Sequence, residues 1–348
     1  MASLELNHRE RQVLAAVIRS YVETAEPAGS RTVSRRFGLG VSPATIRNTM
    51  SDLEEKGFLF HPHTSAGRIP TDKAYRVYVD ELMKVSPLDR AQSERLSAEI
   101  TQGTATLESI LRRAAQSLGV LTQELGVALG PRLDDTILSR LELVRLSSER
   151  LMLVLSLRGG AVRTIFIEVR GVIGDDALAE VQIVLNERLA GLTLSAIRAT
   201  LGERLRDTGA TTGGTELLNI FLQEGDQLFD MPSPSEGDSV VLGQASVLAD
   251  QPEFATGDRL RSVIELTETR TELAQLLRSR KQSAGVQITI GSEHGAALPA
   301  GLTVVTAEYT AGSLQGVIGV IGPTRMPYEK IISLVSHTSS LVTELLDG

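Results

Sequence analysis

Apolar residues near the amino terminus recur at helical spacing and are interrupted by residues that favour turns. The first apolar stripe covers four predicted helical turns and consists of Val13, Leu14, Val17, Ile18 and Tyr21. A second helix is predicted from Ser30 to Phe37, where Gly38 acts as a stop signal. A third is predicted from about Pro43 to Lys56, because Ser42 is a preferred N-cap residue and proline suits the first helical position. Two short helices joined by a glycine-containing turn predict a helix-turn-helix.

The predicted third helix has one apolar face and one polar face. Ile46, Met50 and Leu53 share the apolar face at spacings of i, i+4 and i+7. The other side carries small polar groups and one guanidinium, which suit base edges in a major groove. These candidates are Ser42, Ala44, Thr45, Arg47, Asn48 and Ser51, with Arg31 and Arg35 adding positive charge on the preceding helix. For this helix in isolation a solvated amphipathic surface is the simpler interpretation, but the neighbouring elements favour DNA binding.

A short hairpin is predicted directly after the third helix. Residues 58–60 form an apolar strand, residues 62–67 have turn chemistry, and residues 68–70 return. A hairpin at this position is typical of the wing of a winged helix, and its candidate DNA contacts are His63, Thr64, Ser65 and Arg68. The interpretation that remains open for Arg68 is an ion pair with a nearby acid.

The rest of the chain alternates between helical and β patterns. Residues 88–129 are predicted to be helical, and three β-branched runs follow at 137–146, 151–157 and 162–169. Helical patterns then cover 175–207 and 215–229, and strands return at 286–290, 302–308 and 314–321 before a last helix over 328–346. This order favours an α+β multidomain protein in which one α/β domain is interrupted by residues 172–256.

The charge distribution separates the amino-terminal segment from the remainder. The whole chain carries a net charge of −8, whereas residues 1–84 carry 12 Lys and Arg against 10 Asp and Glu, so the remainder carries −10. Such a chain can approach DNA with its first segment while the acidic remainder is repelled. No apolar run is long enough to span a membrane and no signal-peptide pattern is present, so we expect a cytoplasmic protein without a membrane partner.

Catalytic and metal-binding patterns are weak. The sequence has no cysteine, which excludes disulfides and thiolate metal sites. His61 and His63 lie two residues apart but lack a third ligand at plausible spacing, and no G-x-S-x-G motif occurs. Glycines between 312 and 322 fit neither a P-loop nor a dinucleotide fingerprint. We therefore expect no enzyme activity, no cofactor and no metal.

Two long stretches resemble one protein family. The segment over residues 42–83 is similar to the amino-terminal signature of the HrcA family of heat-inducible transcription repressors, SPATIRNTMSDLEEKGFLFHPHTSAGRIPTDKAYRVYVDELM. Residues 316–326 resemble that family's carboxy-terminal motif, so the resemblance covers nearly the whole chain. One departure is His294, where family members usually have asparagine.

The resemblance implies a fold and a function. It implies a winged helix-turn-helix over residues 1–86, a GAF-like α/β domain over 87–171 and 257–348, and an inserted dimerising domain over 172–256. The implied function is negative regulation of heat-shock chaperone operons (groE and dnaK type) by a homodimer on an inverted-repeat operator, CIRCE. Heat would release the operator because damaged proteins titrate the GroEL chaperonin that keeps the repressor active.

Two other functions remain open at this stage. The first is a metabolite-responsive winged-helix regulator whose GAF-like domain binds a small molecule. The second is an adaptor that binds proteins and not DNA, because winged helices also bind proteins.

Overall fold

The protein is described by a computed structural model that covers most of the chain in sixteen segments. The described residues are 6–63, 66–102, 107–131, 136–158, 162–169, 173–206, 212–229, 240–249, 251–255, 261, 265, 268–280, 285–295, 298–299, 301–312 and 314–347. Contacts between residues divide the chain into two compact units. The first unit comprises 1–129, 240–308 and 317–342, and the second comprises 130–239, 309–316 and 343–348.

The first unit begins with residues 6–84, which we call the head. It contains helices α1 (His8–Thr24), α2 (Ser30–Phe37), α3 (Pro43–Glu55) and α4 (Asp72–Val77), and strands β1 (Leu59–Phe60) and β2 (Ile69–Pro70). A π-helical turn over Tyr78–Leu82 follows α4. The two strands pair antiparallel, Leu59 opposite Pro70. The predicted three helices and hairpin are therefore present, and α3 ends one residue earlier than expected.

A five-stranded sheet forms the rest of the first unit's framework. Its strand order is β7 (Val240–Leu242), β3 (Leu125–Leu129), β10 (Leu314–Pro323), β9 (Leu302–Ala311) and β8 (Val286–Ile290). Helices α5 (Arg90–Thr101), α6 (Leu107–Thr122), α10 (Ser246–Ala249), α11 (Arg270–Arg278) and α12 (Tyr328–Asp347) accompany it. Residues from β3, β7, β10 and α11 share one apolar core, which includes Val127, Val240, Val317 and Leu277.

The second unit contains a three-stranded antiparallel sheet and three helices. The sheet has the order β4 (Leu138–Arg145), β5 (Arg150–Leu157), β6 (Val162–Glu168), and the helices are α7 (Asp175–Leu189), α8 (Leu194–Leu205) and α9 (Thr212–Phe229). Alternate residues of the strands form one apolar core with the helices, including Leu141, Leu153, Val181, Ile197 and Phe221. Side chains alternate between the two faces of a strand, so the alternate apolar residues lie on one face of the sheet. The three helices cover that face.

The structure groups these segments differently from the predicted domain boundaries. We expected residues 137–169 to belong with the carboxy-terminal strands, but they pack with α7–α9 in the second unit. Hydrogen bonds at the edge of β4 account for its packing against α7. Asn186 accepts from the amide of Leu141 (2.8 Å), and Gln182 accepts from the amide of Leu143 (2.8 Å). Conversely β7, expected within the interrupting segment, pairs with β3.

Residues 125–129 also differ from the sequence prediction. They were expected to continue a helix, but they form the strand β3, which lies between β7 and β10 and whose five residues are all buried. A strand buried on both faces lacks alternation, so periodicity cannot distinguish it from a buried helical segment.

Polar contacts join the head to the sheet within the first unit. Asp72 accepts a hydrogen bond from the amide of Ser292 (2.8 Å), and Arg76 donates to Glu293 (2.8 Å) and to the carbonyl of Ile288 (2.8 Å). Gly291 has a φ of +51°, and a Cβ at that position would lie 2.2 Å from a carboxylate oxygen of Asp72. Only glycine therefore allows this close approach without displacing Asp72.

Gly291→Ala should destabilise the first unit by more than the cost of its positive φ. The backbone penalty is about 1–2 kcal/mol, and losing the Asp72–Ser292 hydrogen bond adds about 1 kcal/mol. Thermal unfolding followed by circular dichroism measures the loss. Gly38→Ala is the matched control, because Gly38 has a φ of +56° but open space around the added Cβ. Equal losses in the two variants would contradict the proposed close contact with Asp72.

Candidate nucleic-acid interface

Helix α3 presents the separation of faces that its sequence predicts. The hydroxyl of Ser42 accepts from the amide of Thr45 (3.1 Å), and Pro43 occupies the first turn. Ile46, Met50 and Leu53 are buried, as expected, together with Thr49. The opposite side is exposed at Ser42, Ala44, Arg47 and Asn48 and half-buried at Thr45 and Ser51. The cap and the apolar face therefore fix which side chains reach solvent.

Local hydrogen bonds hold the small polar side chains of α3 in place. The hydroxyls of Ser42 and Thr45 lie 2.9 Å apart, and Ser51 donates to the carbonyl of Arg47 (3.3 Å). A hydroxyl both donates and accepts, so each retains capacity for a further partner. The side chains of Arg47 and Asn48 have no hydrogen bond to any residue within the described segments.

Three acids near α3 are neutralised by basic partners. Glu10 accepts from Lys56 (2.7 and 2.8 Å), Glu23 pairs with Arg36, and Glu54 pairs with both Arg68 (2.8 Å) and His61. In contrast, no residue of the described part of the head pairs with the exposed guanidiniums of Arg31, Arg35 and Arg47. The surface around α2 and α3 therefore carries three guanidiniums without a described acidic partner, beside the exposed acids Asp52 and Glu55 of α3.

The Glu10–Lys56 contact was not identified from the sequence. Glu10 is 4% exposed, and its carboxylate also accepts from the amide of Asn7 (2.9 Å). Burial alone would raise the pKa of Glu10, but the hydrogen bonds from Lys56 and Asn7 outweigh burial and lower it. Because Lys56 is the C-cap of α3, this pair ties the end of α3 to the start of α1. The capping-box spacing of Asn7 and Glu10 was the available signal, but it did not indicate Lys56.

The candidate DNA contacts in the hairpin differ in how exposed their side chains are. His63 is exposed, whereas Thr64 and Ser65 lie outside the described residues. The side chain of Arg68 is 18% exposed and its guanidinium pairs with Glu54. Its backbone pairs with Ala28 in both directions (2.8 and 3.0 Å). Arg68 therefore forms an ion pair with a local acid, which was the alternative to DNA contact. The pair links the hairpin to α3.

The departure at His294 also has a structural explanation. His294 is 9% exposed, and its Nε2 lies 2.8 Å from the carbonyl of Leu302, to which it donates as the neutral tautomer. Burial lowers the pKa of His294, which favours this neutral form. The side chain thus provides a hydrogen bond between the loop after β8 and the start of β9.

The described segments offer no metal site and no membrane-spanning helix. Within the described segments no three His, Asp or Glu residues are grouped closely enough to hold a metal ion. In the same part of the chain no helix is long and apolar enough to cross a membrane. The exposed side of α2 and α3 is therefore the candidate functional surface.

Comparisons with known proteins give one consistent family. Residues 108–332 match the HrcA protein C terminal domain. The chain is 40% identical to the heat-inducible transcription repressor HrcA of Chlorobium luteolum and 37% identical to that of Geobacter sulfurreducens, in each case over 99% of both proteins. A crystal structure of a hypothetical protein shares the fold, with a TM-score of 0.63 at 22% identity over 99% of each chain.

Glu10→Gln should lower the stability of the head at neutral pH by about 1–2 kcal/mol, because a charged hydrogen bond to Lys56 is weakened. The folded pKa of Glu10 is lowered, so this stability is present above the unfolded pKa of about 4.3 and is lost as pH falls through the folded pKa. The difference between the two proteins should therefore shrink on acidification. Thermal unfolding at several pH values measures it. Glu55→Gln, a change at an exposed acid of α3, should have little effect; a difference independent of pH would refute the assignment.

Proposed function

The chain belongs to the HrcA family of heat-inducible transcription repressors, and from this premise we propose that it represses heat-shock chaperone operons by binding an inverted-repeat operator through α3. The observation that carries the proposal is the exposed face of α3, beside arginines that have no described acidic partner. Repression of this kind requires no catalysis, so the proposed role is not enzymatic.

We propose a winged helix in which α3 enters the major groove. Arg47 and Asn48 carry the side chains suited to base edges, and Ala44 allows close approach. Arg31 and Arg35 on α2 neutralise phosphates, and Ser42, Thr45 and Ser51 add hydrogen bonds to the backbone or bases. His63 extends from the hairpin, with Thr64 and Ser65 beside it in sequence.

Arg68 has a supporting role in this proposal. Its guanidinium is shared with Glu54, and Glu54 lies on α3. Releasing it toward a minor groove would leave Glu54 without its arginine partner and close to DNA phosphates. The ion pair therefore favours a role in positioning α3 over direct contact with DNA.

An inverted repeat has two-fold symmetry, so the proposed repressor is a homodimer. The proposed dimer is supported by the outer face of the second unit's sheet, whereas the sequence predicts residues 172–256 as the dimerising segment. Val144, Met152 and Phe166 form one cross-strand row there, and Val162 is 62% and Phe166 65% exposed. Gln182 and Asn186 occupy the edge of β4, and among the described strands β6 has no neighbour on its outer edge. An exposed apolar sheet face of this kind is typical of an interface.

The proposed heat response depends on the GroEL chaperonin and on the long-range sheet of the first unit. Leu129 on β3 pairs with Val317 on β10, and most of the second unit lies between them in sequence. Sheets with such distant partners form slowly and expose edges until they close. The five-stranded sheet with its helices is the proposed GAF-like domain, and we propose that GroEL assists its folding until heat-damaged proteins compete for it.

Arg47→Ala should weaken binding to the inverted repeat by about 1–3 kcal/mol but change binding to a scrambled duplex much less, because a base contact carries sequence information. Fluorescence anisotropy across a range of salt concentrations measures both. Arg90→Ala is the matched control, since Arg90 is a highly exposed arginine on α5, which is not part of the head. Equal losses on the two duplexes would show that Arg47 contacts only phosphate.

Phe166→Asp should convert the dimer to a monomer and reduce operator affinity, because a charge on the apolar sheet face would be buried in the interface. Sedimentation velocity measures the assembly, and circular dichroism establishes that the variant is folded. Ile183→Asp is the control: Ile183 is also exposed (58%), but it lies on α7. A folded Phe166→Asp protein that remains dimeric would place the interface elsewhere.

A further inference from the structure

The first unit contains a cleft between the head and the sheet. Its cavity volume is about 610 Å³, within the range of small-molecule sites. The head contributes Tyr21, Asp72 and Tyr75, and the remainder of the unit contributes Glu253, Phe254 and Arg325, among others. All of these residues belong to the same compact unit.

The phenol of Tyr75 has no described hydrogen-bond partner, although its side chain is only 1% exposed. Its ring packs against that of Tyr328 with a centroid separation of 5.8 Å. Burial raises the pKa of Tyr75 well above its ordinary range, and the charged or polar groups of Tyr21, Arg325 and Glu253 also act on it. Those three residues and Tyr75 itself line the cleft. A buried hydroxyl without a partner is costly, and a ligand in the cleft would supply one.

The charges around the cleft are unbalanced. Arg325 is fully engaged, because it pairs with Glu253 and donates to the carbonyl of Val22 (2.7 Å). The carboxylate of Asp72 accepts from the amide of Ser292, but no described basic side chain lies within ion-pair distance of it. The lining therefore carries a net negative charge beside aromatic rings, which favours a cation.

We propose that this cleft binds a small organic cation with a flat apolar body. Its ammonium group would pair with Asp72 and donate to the phenol oxygen of Tyr75. The two side chains are three residues apart on α4 and therefore lie on the same side of the helix. The apolar body would contact the rings of Tyr21 and Phe254. Because the ligand would touch both the head and the remainder of the first unit, its binding should stabilise their contact.

The test uses the full-length protein and phenethylammonium as the probe. Isothermal titration calorimetry should show saturable binding with a dissociation constant on the order of 1 mM, as expected for a ligand of this size. The probe should also raise the thermal midpoint of unfolding. The control ligand is 3-phenylpropanoate, which has the same ring and a similar length but the opposite charge, and it should not bind.

Two variants separate the proposed contacts. Tyr75→Phe removes an unpaired hydroxyl, so it should fold at least as well as the natural protein but bind the probe about fivefold more weakly. Asp72→Asn can still accept from the Ser292 amide, yet it should lose most of the binding. Asp176→Asn, an exposed acid at the start of α7, should bind unchanged.

Three results would overturn the proposal. The first is no saturable heat up to about 10 mM probe, well above the expected dissociation constant. The second is equal binding of the anion and the cation. The third is undiminished binding in folded Asp72→Asn. None of these measurements involves DNA, so failure here would leave the proposed repressor function untouched.

Discussion

The pairing of β3 with β10 is the constraint on which the first unit depends. Leu125 lies opposite Ile321 and Leu129 opposite Val317, so the centre of the sheet joins segments from both sides of the second unit's main segment. Strand β7 then adds to β3, and Arg325, just after β10, donates to the carbonyl of Val22 in α1. The sheet and the docking of the head therefore both depend on a contact between distant parts of the chain.

Three acids of the head lie in ion pairs, whereas the exposed arginines Arg31, Arg35 and Arg47 have no acidic partner among the described residues. Glu10, Glu23 and Glu54 are each paired, and two of these pairs also fix α3, at its C-cap and on its last turn. The same contacts that set the position of α3 thus remove negative charge from its surroundings. The same side chains therefore position α3 and compensate acidic charge near it.

The contact between the head and the rest of the first unit contains several polar interactions. Asp72, Arg76 and Arg325 take part in hydrogen bonds there, and the tilted contact between the rings of Tyr75 and Tyr328 is an apolar component. The cleft beside Tyr75 lies in this contact, where a ligand would have the greatest effect on how firmly the head is held.

The sequence by itself determined the local elements of the head. Ser42, Pro43 and Gly57 set the limits of α3, and its apolar spacing decided which residues face outward, because capping and periodicity act within a few residues. Tertiary structure alone decided that Arg68 turns toward Glu54, that β3 is a strand, and that β4–β6 pack with α7–α9. An amphipathic pattern shows that a face must be covered, but its covering partner lies elsewhere in the chain. The cleft is hidden from the sequence for the same reason: its walls come from segments that only folding brings together.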